Sequence, residues 1–200
     1  MMNAYARCSF FAVPLLAALG CSDPVPPPAQ GAVTLDLGQP VVHVTQMQCP
    51  ITKVYQIAAV DSKNNVLAPS VSTPGQSVIS GEGGSSISCS VTGGGGNYKF
   101  SGTLSAVTQQ GDKVSVQFAN GVVGPDFTGT ADVSVFTTDL LQNFSSTNTM
   151  MNCSIAVQNT QVKGGSIWAT FSCPQIGFPP SGLCSIGPGS AIVFQNCSGS

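Results

Sequence analysis

From residue 86 onward, apolar and polar positions alternate with a period of two. In SISCSVT (86–92), Ile87, Cys89 and Val91 share one side, while Ser86, Ser88, Ser90 and Thr92 share the other. In 98–107, Tyr98, Phe100, Leu104 and Ala106 oppose Lys99, Ser101, Thr103 and Ser105, and in 113–118 the apolar set is Val114, Val116 and Phe118. Successive side chains of a strand point to opposite faces, so the pattern predicts antiparallel strands with one buried and one wet face. GGGGN (93–97) and QQGD (109–112) supply turns between them. Further strands are expected at 129–137, 152–158, 165–173 and 190–197, and earlier at 32–37, 41–47, 52–60 and 77–80. Helical periodicity is missing; TTDLLQNF (137–144) is the one stretch that suits a short helix or turn. Many short strands separated by Gly, Pro and Asn describe an all-β fold, an antiparallel β-sandwich of immunoglobulin-like or related type, with a β-barrel as the alternative. GSIWATFSC (165–173) and GSAIVFQNC (189–197) look alike, a match that two short strands reach by composition alone.

Composition narrows the setting. Charged residues make up 7% of the chain, against about 25% in ordinary soluble domains, so the polar surface must come from Ser, Thr, Asn, Gln and Gly. Beyond residue 20, five lysines against eight carboxylates leave a net charge of −3, with no arginine. A nucleic-acid partner needs a basic face to neutralise phosphates, and none is available. The 42% hydrophobic content is enough for a packed core and argues against disorder.

The amino-terminal segment has a different character. Residues 1–7 carry Arg7, and 8–20 (CSFFAVPLLAALG) are uncharged and mostly apolar, interrupted by Pro14. This run is shorter than the roughly 20 residues that span a bilayer and matches the core of an export signal. It ends in Ala18-Leu19-Gly20-Cys21, which resembles the lipobox of bacterial lipoproteins. The resemblance implies a signal peptide over 1–20, a diacylglycerol thioether on Cys21 and an acylated (palmitate-bearing) amino terminus. In that family Ser22, rather than aspartate, directly after the cysteine implies the outer membrane, on a side the sequence leaves open. An ordinary secretory signal fits too, since Ala18 and Gly20 obey the small-x-small cleavage rule. Residues 22–30 (SDPVPPPAQ) hold four prolines, a semi-rigid tether. At about 3.1 Å per residue it reaches up to roughly 28 Å. The resemblance thus implies a division into signal (1–20), lipidated Cys21 with tether (21–30) and one disulfide-stabilised β domain (31–200).

Cysteine parity supports the lipobox. Of eight cysteines, Cys8 falls in the signal; removing Cys21 from the thiol pool leaves Cys49, Cys89, Cys153, Cys173, Cys184 and Cys197 to pair completely. Fifteen connectivities are open to six cysteines. Strand alternation turns Cys89, Cys153 and Cys173 inward and suggests Cys89–Cys153, Cys173–Cys184 and Cys49–Cys197. Antiparallel neighbours at 165–173 and 190–197 would put Cys173 and Cys197 at opposite ends, against bonding them directly. Without a CxxC pair, a zinc site is the weaker reading.

Catalytic patterns are sparse. The single histidine, His43, sits between valines as a strand residue would, and there is no G-x-S-x-G elbow. Asp36, Asp61, Glu82, Asp112, Asp126, Asp132 and Asp139 could pair as catalytic carboxylates, but most lie beside turns, where aspartate is at home. DSKNN (61–65) has Lys63 where a calcium loop needs an acceptor and reads as a turn. GEGGSS (81–86) lacks a P-loop lysine. No cofactor or metal is expected. Trp168 alternates to the side opposite Ile167, Ala169 and Phe171; it belongs to the core or, alternatively, stacks on a ligand. Phe178, in CPQIGFPPSGLC (173–184), is either part of an ordinary loop or, alternatively, a ligand-binding residue on a rigid, disulfide-closed protrusion. Loops 93–97, 120–128 and 174–189 are the expected contact regions. The expectation is a non-enzymatic, lipid-anchored envelope module with a structural, adhesive or partner-binding role. Its partners are the membrane, through the lipid, and an envelope protein or polysaccharide. A carbohydrate- or small-ligand-binding lipoprotein is the first alternative and a carboxylate-dependent enzyme the second.

Overall fold

A computed structural model of the protein describes residues 25–40, 48–177 and 182–199. Twelve strands follow one another among the described residues: β1 (Gln30–Gly38), β2 (Lys53–Ile57), β3 (Val78–Ile79), β4 (Ser86–Gly94), β5 (Asn97–Val107), β6 (Lys113–Val123), β7 (Thr128–Thr137), β8 (Asn143–Ser145), β9 (Cys153–Lys163), β10 (Ser166–Gly177), β11 (Leu183–Ile186) and β12 (Ala191–Gln195). The alternation at 86–137 becomes a meander, β4 to β7, each strand paired antiparallel with the next. The stretch expected as a short helix or turn (137–144) is a turn that runs into β8, and the only helical turn among the described residues is a short one at Thr147–Thr149. The strand expected at 41–47 lies outside the described residues. β11 was not foreseen, because its four residues sit in a stretch that reads as loop.

The strands form one antiparallel sheet that folds over on itself. β8 and β9 share the position between β7 and β10, and β11 and β12 share the position between β10 and β1. The meander thereby faces the β10–β12–β1 half across a single core, so the sheet is sandwich-like. Phe118 of β6 stands at its centre, with ring centroids 5.0 Å from Phe171, 6.1 Å from Phe194 and 6.0 Å from Phe100. The layers touch closely at Gly102, where a Cβ would come within 2.8 Å of the Phe194 ring. Only a glycine allows β5 to approach β12 that closely.

Closure is barrel-like on one side. The outer edge of β4 meets the carboxy-terminal tail in a parallel bridge, Ser90 to Ser198. Val91 N–H donates to the Ser198 carbonyl (3.1 Å) and Ser198 N–H to the Cys89 carbonyl (3.0 Å). The edge donors and acceptors at Cys89 and Val91 are thus covered.

The six cysteines form three bonds, Cys49–Cys184, Cys89–Cys197 and Cys153–Cys173, and each pairing expected from strand alternation is corrected. Cys173 bonds Cys153 rather than Cys184 because a bulge sets the register. At the hairpin turn Ile167 pairs Val162, yet Ala169 already pairs Val157. The extra β9 residues include Asn159 and Thr160, both at positive φ (48° and 56°), and the shift brings Cys153 opposite Cys173. Cys89 bonds Cys197 rather than Cys153 because β4 is the outer edge strand of the meander and its neighbour is the tail. Cys49 bonds Cys184 rather than Cys197 because Cys49 follows the carboxyl end of β1, whereas Gln195, two residues before Cys197, pairs with Gln30 at the other end. The Gln39 side chain fixes Cys49 there, accepting from its N–H and donating to its carbonyl, both at 2.9 Å. Cys173 and Cys197 do lie at opposite ends of the antiparallel β10–β12 pair.

Candidate binding surfaces

Trp168 is on the face opposite Ile167, Ala169 and Phe171, as alternation predicts, yet it is only 2% exposed. It lines up across the strands with Val193 and Ala32, forming a second small apolar cluster on the back of the sheet. The segment between β2 and β3 covers that cluster: Ala58 packs on it, the Trp168 Nε1–H donates to the Ser70 carbonyl (3.2 Å), and Thr34 Oγ1 donates to the Pro69 carbonyl (2.7 Å). Its indole N–H is satisfied internally, so the ring serves packing rather than stacking on a ligand. This double-sided burial also explains why 165–173 and 189–197 look alike. They include neighbouring strands with the same surroundings, apolar on both faces. Beside Trp168 a groove of ≈ 650 Å³ runs past Pro26, Pro74, Lys163 and Asn196. Cys21, His43 and Phe178 lie outside the described residues.

The carboxylates that meet are Asp112, in the β5–β6 turn, and Asp139, just after β7. Both reach Lys53 of β2, its Nζ lying 2.8 Å from Asp112 Oδ2 and 3.0 Å from Asp139 Oδ2. The Tyr55 hydroxyl donates to Asp139 Oδ2 (2.6 Å), and the Lys53 ammonium sits 4.9 Å from the Tyr55 ring centroid. The hydrogen bonds to Asp112 and Asp139 raise the Lys53 pKa, and the Tyr55 and Lys53 donors lower that of Asp139. Burial, followed by the bond to Asp139, pushes Tyr55 up to about 12. All three groups are driven away from neutrality, the opposite of what general acid–base catalysis at pH 7 requires. The cluster instead ties β2, in one half of the fold, to two turns of the other.

That cluster makes stability depend on pH at both extremes. Tyr55 ionises at about 10 when unfolded and about 12 when folded, so its contribution is complete below pH 10 and is lost as pH rises towards 12. Lys53, also raised, acts in the same alkaline direction. Asp139, lowered, contributes above the ordinary carboxylate pKa, and that contribution is lost as pH falls through its folded value. Urea midpoints are expected to fall between pH 10 and 12, and the fall should be smaller in Tyr55→Phe. An unchanged alkaline slope in that variant would remove Tyr55 from the account.

Asp61 and Asp126 close turns, while Asp132 of β7 accepts from Asn120 Nδ2 (2.7 Å). Asp61 Oδ1 accepts from the N–H groups of Lys63 (2.8 Å) and Asn65 (2.9 Å), so DSKNN is a turn. Asp126 Oδ2 accepts from Thr128 Oγ1 at 2.6 Å. Among the described residues no cluster of His, Cys, Asp and Glu could hold a metal, and no helix is long and apolar enough to cross a membrane. A feature missed in the sequence is Phe136. The alternation of 129–137 places it with Asp132 and Ser134 on the wet face, and it is half-buried there between the buried Val135 and Thr137. No protein family matches this chain, and neither the curated proteins nor the solved structures contain a significant match to it.

Proposed function

We propose that the protein is a lipid-anchored lipoprotein of the bacterial cell envelope. It is held at the outer membrane by acylated Cys21 and acts as a non-enzymatic structural, adhesive or partner-binding module. The observation that carries this reading is the use of cysteines. The three disulfides take up all six residues downstream of Cys21, so the domain asks nothing of that thiol. Oxidised pairs also suit an extracytoplasmic compartment. The described end of the tether enters β1 beside the tail, where Asn196 Nδ2 donates to the Pro28 carbonyl (3.2 Å). By strand register, the 163–166 turn lies at this same end. The turns that hold Asp112 and Asp139 lie at the other end and would face away from the lipid. Against an enzymatic reading stands the direction in which their surroundings shift the pKa values of Lys53, Tyr55 and Asp139, away from neutrality.

The test is labelling in a bacterial host with a radioactive or clickable palmitate analogue. The wild-type chain is expected to carry label and to fractionate with membranes. Cys21→Ala is expected to lose all label and become soluble. Label retained in Cys21→Ala, or an unlabelled soluble wild type, would overturn the anchor.

A further inference from the structure

We propose that the outward face of β5–β7, centred on Phe136, binds a neutral saccharide. Strand register assembles the site. Phe136 lies directly across from Ser115, Ser115 from Ser105, and Asn143 of β8 flanks Phe136 on its other side. One row along, Ser134 lies opposite Gln117 and Gln117 opposite Thr103. Because these strands bury their alternate residues in the core, the outward residues next to Phe136 are mostly hydroxyl and amide groups, with Lys99 and Asp132 further along the same face. The residues around Phe136 line an open surface trough of ≈ 360 Å³, in volume within the roughly 300–1,000 Å³ of small-ligand sites.

The chemistry of the lining selects the ligand. A phenyl ring offers an apolar platform to the C–H face of a pyranose, while hydroxyl and amide groups orient the sugar hydroxyls. Ser105 Oγ donates to Ser115 Oγ at 2.6 Å, which leaves the Ser115 hydrogen to donate outward. Ser134 Oγ donates to Ser145 Oγ at 2.9 Å, which leaves the Ser134 lone pairs to accept. The amides of Gln117 and Asn143, both exposed, donate and accept. Lys113, at one edge, is the single ionisable group of the trough, and no carboxylate lines it. A site so nearly devoid of charge complements an uncharged, hydroxyl-rich partner rather than an anionic polymer or a cation. Trp168, which alternation alone would allow to stack on a ligand, is 2% exposed, with Ala58 packed on its cluster and its indole N–H bonded to Ser70, so its ring is not presented to a polymer.

This inference rests on reading the protein as a partner-binding module; it does not depend on the lipid. The mature chain, in detergent, is run in native gels cast with dextran, yeast mannan or a β-1,3-glucan, and with alginate as an acidic polymer. Retardation by at least one neutral polymer is expected. Phe136→Ala should weaken it about tenfold, as loss of an aromatic contact and its area would. Gln117→Ala with Asn143→Ala, both exposed positions, should weaken it too and guards against misfolding of the first variant. No retardation by any neutral polymer, or equal retardation of variants that melt like wild type, would overturn the site. So would stronger retardation by alginate that Lys113→Gln removes. Palmitate labelling of the same preparations separates the two claims: a labelled chain that ignores neutral polymers keeps its anchor and loses this site, and an unlabelled chain that is retarded does the reverse.

Discussion

Phe118→Ala is expected to destabilise the fold by about 3–5 kcal/mol, the range for truncating a fully buried phenylalanine, and to lower the melting midpoint by roughly 10 °C. Phe118 is 1% exposed, and its ring meets Phe171 and Phe194 of the opposite half edge-on, at interplanar angles of 81° and 90°. Deleting it removes the contact through which the two halves of the sheet recognise each other. The cavity left behind is bounded by β-strands already fixed by their ladders, so little collapse can refill it. Phe118→Leu, which keeps most of the volume, should lose about 1 kcal/mol. Phe136→Ala, at the wet face of the neighbouring strand, should change stability far less. Urea titration of the three variants checks the series. If Phe118→Ala and Phe136→Ala have equal midpoints, the core is not organised around this ring.

Removing the Cys89–Cys197 bridge, by alanine at both positions, is expected to lower stability by about 4 kcal/mol. The two residues are 108 positions apart, so the bridge removes much conformational freedom from the unfolded chain. The Cys49–Cys184 bridge already shortens that loop somewhat, which keeps the figure below the full loop value. The structural consequence is local as well. The bridge sits on the seam where Val91, Ser198 and Gly165 exchange backbone hydrogen bonds. Amide exchange at Val91 and Ser198 should therefore accelerate before exchange in β5 or β6 does. Removal of Cys153–Cys173, across a separation of 20 residues between strands already paired, should cost about 3 kcal/mol and leave that seam protected. Unchanged protection at Val91 in the Cys89/Cys197 variant would mean that the backbone bonds close the seam unaided.

Much of the β architecture was legible because its physics is local. Period-2 alternation needs only the geometry of one strand, and so the meander from Ser86 to Thr137 can be read from the residues, Phe118 inward and Ser115 outward included. The same rule put Trp168 on the opposite side from Ile167. Alternation gives a face but not its covering, and nothing in 165–173 announces that residues 58–70 lie over that side and bury the indole.

The all-β class, the inward set of the meander and the turn at Asp61 follow from the residues alone. Each of these depends on neighbours a few positions apart. Tertiary structure alone decided which cysteines meet, that Lys53, Asp112 and Asp139 share one site, and that Phe136, Ser115 and Gln117 surround one trough. Those outcomes turn on strand order and register, and register depends on features as small as the bulge at Asn159 and Thr160, whose shift sets Cys153 opposite Cys173. A pattern of period two is unchanged by which strand lies alongside, so it cannot encode the partner; long-range packing and the closing of the sheet select it.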